Sequence, residues 1–384
     1  MFHTLQNVRI AAIRAAVPTQ EIRLEDEAVY YGGSMKKVSR MKITLGMDKR
    51  RVCPVDVTAS DLCAFAAQNL LATPGVNPDA TDALIFVSQS PDWFFPATAC
   101  ELQHRLGLPR HCAAFDVNQG CAGYIYGLWI GSSLIASGAA RQALLLVGDA
   151  HSFARDVRNR ITAPVFGDGG SATLLIRDEN APPMYFGLGT DGSGFETIIA
   201  PAGRARIPFV REHARNEAAT RDILDPYGNP WQLMDTYMDG GRVFNFTMDI
   251  VPQHLKACME FATVSPEEID WLFLHQANRQ IVEGIAERVG IPQNKTPSTS
   301  FSKYGNTASA SIPVALCDAA ATQQPSGQIL MSGYGVGLAW GSCLCRIDAW
   351  DCAPLLEYEA DPTRPSREQR IERWEKIIKG EIHD

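Results

Sequence analysis

No CxxC pair stands anywhere in the 384 residues, and the 10 cysteines are scattered, so neither a zinc site nor a disulfide framework is indicated. Basic residues are not in excess either. The formal net charge of -8 argues against a general nucleic-acid binder held by phosphate neutralisation. No segment approaches the roughly 20 apolar residues of a membrane span, and the opening MFHTLQNVRI lacks the basic start and apolar core of a secretory signal. A soluble, cytoplasmic protein is therefore expected. The stretch FGDGGSA at 166–172 lacks the Lys-Ser/Thr ending of a phosphate loop and reads as a turn before a strand.

What the chain does have is 46% hydrophobic residues, enough to fill a large core. Short apolar runs predict strands: VRIAAI near the start, ALIFVS at 83–88, CAAFDV at 112–117, ALLLVG at 143–148 and SATLLI at 171–176. Between them lie helix-compatible segments such as ASDLCAFAAQNLLA and GYIYGLWIGSSLIASG. The alternation predicts an α/β domain with buried strands. After about residue 183 the order repeats, with MYFGLG, WLFLH at 271–275, QILMSG at 328–333 and SCLCRI at 342–347. A duplicated α/β fold follows, with halves at 1–182 and 183–350.

Two regions break the repeat. Residues 204–241 are polar and rich in turn signals, an excursion before a helix starting near Val243. The extension 351–384 begins with a Pro-containing linker, then places Ser366 and Gln369 in capping-box spacing ahead of a stripe of Ile371, Trp374, Ile377 and Ile378. A short amphipathic helix packed on the body is expected there, or a helix that binds a partner.

Three polar residues stand where chemistry gathers in such a fold. Cys121, in FDVNQGCAGY, falls at a strand-to-helix corner, where unpaired N–H groups and the helix dipole lower a thiol pKa. A cysteine that simply fits a crowded corner reads the same way. His275 follows the run WLFL at the C-terminal end of a strand, where an imidazole either donates to a carbonyl or serves the structure. Asn306, in KYGNTASAS, lies near the equivalent point of the second half, as a helix cap or as a donor to a substrate oxygen. The glycine-rich GYGVG at 333–337 offers backbone N–H groups.

Taken together, FDVNQGCAGYIYGL, RITAPVFGDGGSATLL, LFLHQANRQI, KYGNTASASIPVAL and GYGVGLAWGS resemble the thiolase superfamily, and most closely 3-oxoacyl-(acyl-carrier-protein) synthase III. The resemblance runs over about residues 5–350 and implies a layered αβαβα structure. It makes Cys121 the nucleophile that takes an acyl group from coenzyme A or a carrier, and His275 and Asn306 the pair that binds a malonyl thioester for decarboxylative condensation. The amide of Cys121 and one from Gly335, Val336 or Gly337 would form the oxyanion hole. No metal or redox cofactor is implied. A homodimer is, with Phe95 near the partner's acyl pocket.

Elsewhere the chain departs from that pattern. Arg40 stands where the bacterial fatty-acid enzymes carry a tryptophan that stacks on adenine, and Thr44 replaces a nearby arginine. Arg160 matches the other adenine-contacting arginine. Gln280 occupies a usual arginine position, with Arg279 one place earlier and Asn278 before it among the substrate-binding candidates. These changes point to a specialised primer or carrier. Competing expectations are acyl transfer to an oxygen or nitrogen acceptor without decarboxylation, and a non-catalytic partner subunit.

Overall fold

The computed structural model describes residues 1–152, 156–208, 221–226 and 228–382. Counting only the strands of its two large sheets, the chain supplies β1 (Phe2–Leu5), β2 (Val8–Pro18), β3 (Ala83–Val87), β4 (Ala113–Val117), β5 (Gln142–Asp149) and β6 (Gly169–Arg177). There follow β7 (Met184–Thr190), β8 (Trp271–Leu274), β9 (Gly327–Gly335), β10 (Ala339–Ile347), β11 (Asp351–Cys352) and β12 (Leu356–Tyr358).

One sheet runs β11-β2-β6-β5-β3-β4, with β12 also on β2, and the other β1-β7-β10-β9-β8. Within them, β2-β6-β5-β3 and β7-β10-β9-β8 share one plan: two antiparallel pairings, then a parallel one. That common order is the duplication. The chain ends cross over, because β1 joins the second sheet while β11 and β12 lie parallel to β2 in the first.

The helices fill the remaining layers. Helix α4 (Gly123–Ala136; α1 is Met35–Leu45, α2 Ala59–Leu71, α3 Thr98–Arg105) is apolar around its whole circumference, which suits an element enclosed on all sides. It packs with α8 (Ser311–Ala320) between the sheets, where Ile125 and Leu128 meet Ile85 and Leu145 of one sheet and Phe273 and Met331 of the other. Strand β3 shows why the sheets are buried on both faces: Ile85 and Val87 point to this middle layer, while Leu84 and Phe86 pack outward with Leu70 and Leu102 of α2 and α3. The opposite outer layer is α5 (Gly240–Ala262) and α6 (Arg279–Val289), whose Val251, Leu255, Val282 and Ile285 cover Leu272, Leu274 and Leu330. The result is αβαβα, the expected fold class.

Helix α5 begins at Gly240, three residues earlier than Val243, because the Asp239 side chain accepts from Arg242 N and fixes the first turn. Part of the preceding excursion, 209–220 and 227, lies outside the described residues. The described remainder forms two-residue ribbons pairing Ile198–Ile199 with Tyr237–Met238 and Ile223–Leu224 with Pro230–Trp231.

The last helix, α9 (Arg367–Ile378; α7 is Ser300–Tyr304), carries the expected Ser366–Gln369 capping box. Its packing differs from expectation. Ile371 is 55%, Trp374 53% and Ile378 81% exposed, so the stripe is not buried against the body. Ile371, Trp374 and Ile378 line an open cavity with Val55 and Trp93 of the body, and the extension is tied down by Arg364 on Asp61, by Arg367 N on Asp56 at 3.0 Å and by the Arg367 guanidinium on Val55 O at 2.9 Å.

Candidate active site

Strand β4 stops at Val117, and five residues turn the chain into α4. Gly123 is needed at this corner, since a Cβ there would come 2.8 Å from Val87. The turn leaves Cys121 buried, 8% exposed, beneath the loop that follows β9. Gly335, the last residue of β9, lies so close that a Cβ on it would sit 2.8 Å from Cys121 Cβ and 2.9 Å from Sγ. The backbone N–H groups of Val336 and of Cys121 itself bond to the sulfur and favour the thiolate.

Burial opposes them and wins. Desolvation, followed by the charge of Asp149, pushes the Cys121 thiol up to about 12. The corner position therefore does not produce the lowered thiol pKa expected from the sequence.

His275 is the first residue beyond β8. Its N–H donates to Ser332 O at 2.8 Å, its carbonyl accepts from Tyr334 Oη at 3.0 Å, and its ring meets the edge of Tyr334 with centroids 5.5 Å apart. Nδ1 lies 2.6 Å from Ser311 Oγ, at the start of α8. Burial holds the imidazole down to about 4, so it is neutral at pH 7, and when Ser311 donates to Nδ1 the proton resides on Nε2.

Asn306 is clamped to the first half through N to Val165 O at 2.9 Å and Gly167 N to its own carbonyl at 3.0 Å. Its Oδ1 accepts from Ala308 N at 2.9 Å and holds Ala308 in left-handed backbone, φ 47°. With Oδ1 engaged, Nδ2 is the end left to face a ligand. The amide thus serves locally as a cap while keeping a donor in reserve.

Asp149, wholly buried at the end of β5, joins the two halves. It accepts from Gln89 N at 2.7 Å, Ser88 Oγ at 3.2 Å, Ser309 N at 3.1 Å and Ser309 Oγ at 2.6 Å. Neither Asp149 nor Ser311 was singled out in the sequence. The first is marked there by an acid closing an apolar run, and the second by the small polar run after Asn306.

Cys121, His275, Asn306 and Gly335–Gly337 line one cavity of about 800 Å³. Asn278 lines it too, although its side chain accepts from Ile281 N at 2.9 Å as the cap of α6. Arg40 and Arg160 come together with Lys37 around an adjoining cavity of about 470 Å³, which shares Leu45, Ile161 and Val165 with the first. Arg160 Nε donates to Asn229 Oδ1 at 2.8 Å. Gln280 is exposed on α6 and lines neither cavity, and Phe95, 84% exposed, lies outside both.

Two family descriptions match the chain: 3-oxoacyl-[acyl-carrier-protein] synthase III over residues 115–192, and the C-terminal part of the same enzyme over 259–347. A putative 3-oxoacyl-[acyl-carrier-protein] synthase 3 of Campylobacter jejuni is 36% identical over 88% of this chain and 93% of its own. The chain belongs to the 3-oxoacyl-(acyl-carrier-protein) synthase III family. A β-ketoacyl-[acyl-carrier-protein] synthase III of Streptococcus equi is 32% identical over 88% of this chain and 99% of its own. The crystal structure of a 3-oxoacyl-(acyl-carrier protein) synthase from Burkholderia xenovorans superposes with a TM-score of 0.83 at 32% identity, covering 93% of this chain and 99% of that one. As a synthase III family member the protein is an acyltransferase of the condensing type. Among the described residues no helix is long and apolar enough to cross a membrane.

Proposed function

We propose that Cys121 is the acyl-accepting nucleophile and that His275 and Asn306 together bind the thioester carbonyl of a malonyl unit delivered on acyl carrier protein. In the first step the Cys121 sulfur attacks a primer thioester, the bond from acyl carbon to coenzyme A sulfur breaks, and the thiol proton ends on the departing sulfur. A thiol held near 12 is a poor free nucleophile, so the N–H groups of Val336 and Cys121 act when charge develops on sulfur and on the tetrahedral oxygen. In the second step carbon dioxide leaves the malonyl group, and the enolate oxygen is held by His275 Nε2–H and Asn306 Nδ2. The carbanion attacks the acyl-cysteine carbonyl, the bond from acyl carbon to Cys121 sulfur breaks, and the released thiolate takes up a proton from solvent to restore the thiol.

The observation that carries this reading is a buried His275, its Nδ1 on Ser311 Oγ, lining the cavity of Cys121 together with an Asn306 whose Oδ1 is already occupied. Two neutral donors facing one cavity suit an enolate. None of these steps calls for a metal or redox cofactor. Lys37, Arg40 and Arg160 around the adjoining cavity suit the phosphate-bearing carrier arm of the primer. Family membership supports a homodimer in which the exposed Phe95 closes the partner's acyl pocket.

The test is release of labelled carbon dioxide from malonyl-carrier protein, measured after intact mass has shown the acyl group on Cys121. Release with formation of a 3-oxoacyl product is expected. An acylated enzyme that releases none, while passing its acyl group to an alcohol or amine, overturns the condensation reading.

A further inference from the structure

The second-half wall of the cavity is committed to the malonyl unit in the reading above. The first-half wall, formed by the C-terminal ends of β3, β4 and β5, carries polar groups that this chemistry leaves unused. Gln89 follows β3, Asn118 follows β4 and His151 follows β5, and all three line the cavity of Cys121. The Gln89 amide lies directly over Gly120, the residue before the nucleophile, where any side chain would collide with Oε1.

These groups are poorly satisfied by the protein. The one bond of the Gln89 side chain among the described residues is a long one from Nε2 to Asn118 Oδ1, 3.5 Å, which leaves Oε1 as a free acceptor. The His151 ring meets Phe166 edge-on at 5.5 Å between centroids and makes no hydrogen bond among the described residues. Half-buried amides and imidazoles beside a nucleophile, with acceptors open, match a ligand that brings a hydroxyl. A carboxylate fits badly, because the buried Asp149 stands two residues before His151 and the arginine lining this cavity, Arg204, is stacked over Phe94 at 4.7 Å. The carbonyl carbon of the primer is fixed on Sγ, and Gln89 lies over Gly120, the residue before it, in the same cavity. The hydroxyl it can meet is therefore on one of the first carbons of the chain.

We propose that Gln89 and His151 are specificity-determining residues that read a hydroxyl near the thioester, making a neutral 3-hydroxyacyl group the favoured primer of Cys121. The proposal rests on Cys121 being the acyl carrier. The step is the exchange described above: the bond from Cys121 sulfur to the acyl carbon forms, the bond to coenzyme A sulfur breaks, and the proton goes to coenzyme A.

Time courses of intact mass with 3-hydroxybutyryl-CoA and butyryl-CoA, two probes differing by one oxygen, test it on the full chain. The hydroxylated primer is expected to label Cys121 about tenfold faster at limiting concentration, the ratio one net hydrogen bond supplies. Gln89→Leu and His151→Leu, on different strands so that one misfolded variant does not end the test, should each narrow that ratio. Butyryl labelling as fast or faster overturns the proposal, as does a ratio untouched in both variants. Absence of label from these two probes and from acetyl-CoA overturns the acyl-carrier reading itself, and this inference with it.

Discussion

The two halves end their parallel strand pairs in the same way and then diverge. Val87 stands opposite Val147 in the first sheet, and Leu274 opposite Ser332 in the second. One residue beyond β3 and β8 come Ser88 and His275, and two residues beyond Val147 and Ser332 come Asp149 and Tyr334. In the first half the pair is a hydroxyl on a carboxylate, 3.2 Å apart. In the second it is an imidazole against a phenol ring whose hydroxyl bonds to its carbonyl. One fold position thus supplies a buried anion on one side and a neutral donor on the other. A carboxylate in place of Tyr334 would draw the His275 proton and stabilise imidazolium, whereas an aromatic wall keeps the ring neutral.

The proposed division of labour is broken most completely by removing the proposed nucleophile. Cys121→Ala is expected to lose all acyl labelling in intact mass, while retaining the fold, since the change removes one sulfur from a packed corner. His275→Ala and Asn306→Ala should keep labelling and lose about 10²–10³-fold in condensation, the effect of deleting one oxyanion donor, measured as carbon dioxide release from the acylated enzyme. Equal loss of both steps would show that the second half also serves the thiol. Because His275 is held down to about 4, its neutral form prevails above that value. The condensation rate should therefore show no acid limb near 6.5, the ordinary histidine value.

How much of this was legible beforehand depends on what each residue's signal is made of. Strands β3, β5, β8 and β9 were readable because they are apolar on both faces, and the repeat because those runs recur in one order. Cys121, His275 and Asn306 were reachable through their motifs. The thiol pKa was not, since it is set by enclosure beneath Gly335 and by a carboxylate 28 residues away in sequence that only folding brings near. The stripe on α9 was visible, but an amphipathic pattern states that a face is apolar and not what lies against it. Gln280 was assigned by register from its motif, and the turn of α6 carries it to solvent.

A finer cut exchanges the anion for its neutral isostere. Asp149→Asn keeps the shape and removes the charge that, after burial, raises the Cys121 thiol. The sign follows directly: without that carboxylate the thiolate costs less, the thiol pKa falls, and alkylation by iodoacetamide at a fixed pH below about 12 becomes faster. Stability should fall as well, by about 1–3 kcal/mol in denaturant unfolding, because an amide that accepts through one oxygen leaves some of the Ser88, Gln89 and Ser309 donors unpaired. A thiol that alkylates at the unaltered rate would mean that burial alone sets its pKa.

The smallest expected effect comes from the matching position. Tyr334→Phe leaves the ring against His275 and deletes only the hydroxyl bond to the His275 carbonyl, so a loss of about 1 kcal/mol is expected. The ring, and not the hydroxyl, keeps water and charge from His275, so the pH dependence of condensation should stay flat through 6.5. Thiol alkylation should not accelerate either, because no charge has been removed. These two substitutions occupy one place in a duplicated fold, and each disturbs buried hydrogen bonding, but only Asp149→Asn removes a charge. If they shift Cys121 alkylation alike, the loss of a buried hydrogen bond accounts for both. If only Asp149→Asn does, the halves differ by charge, and the second half is neutral where the proposed enolate would be bound.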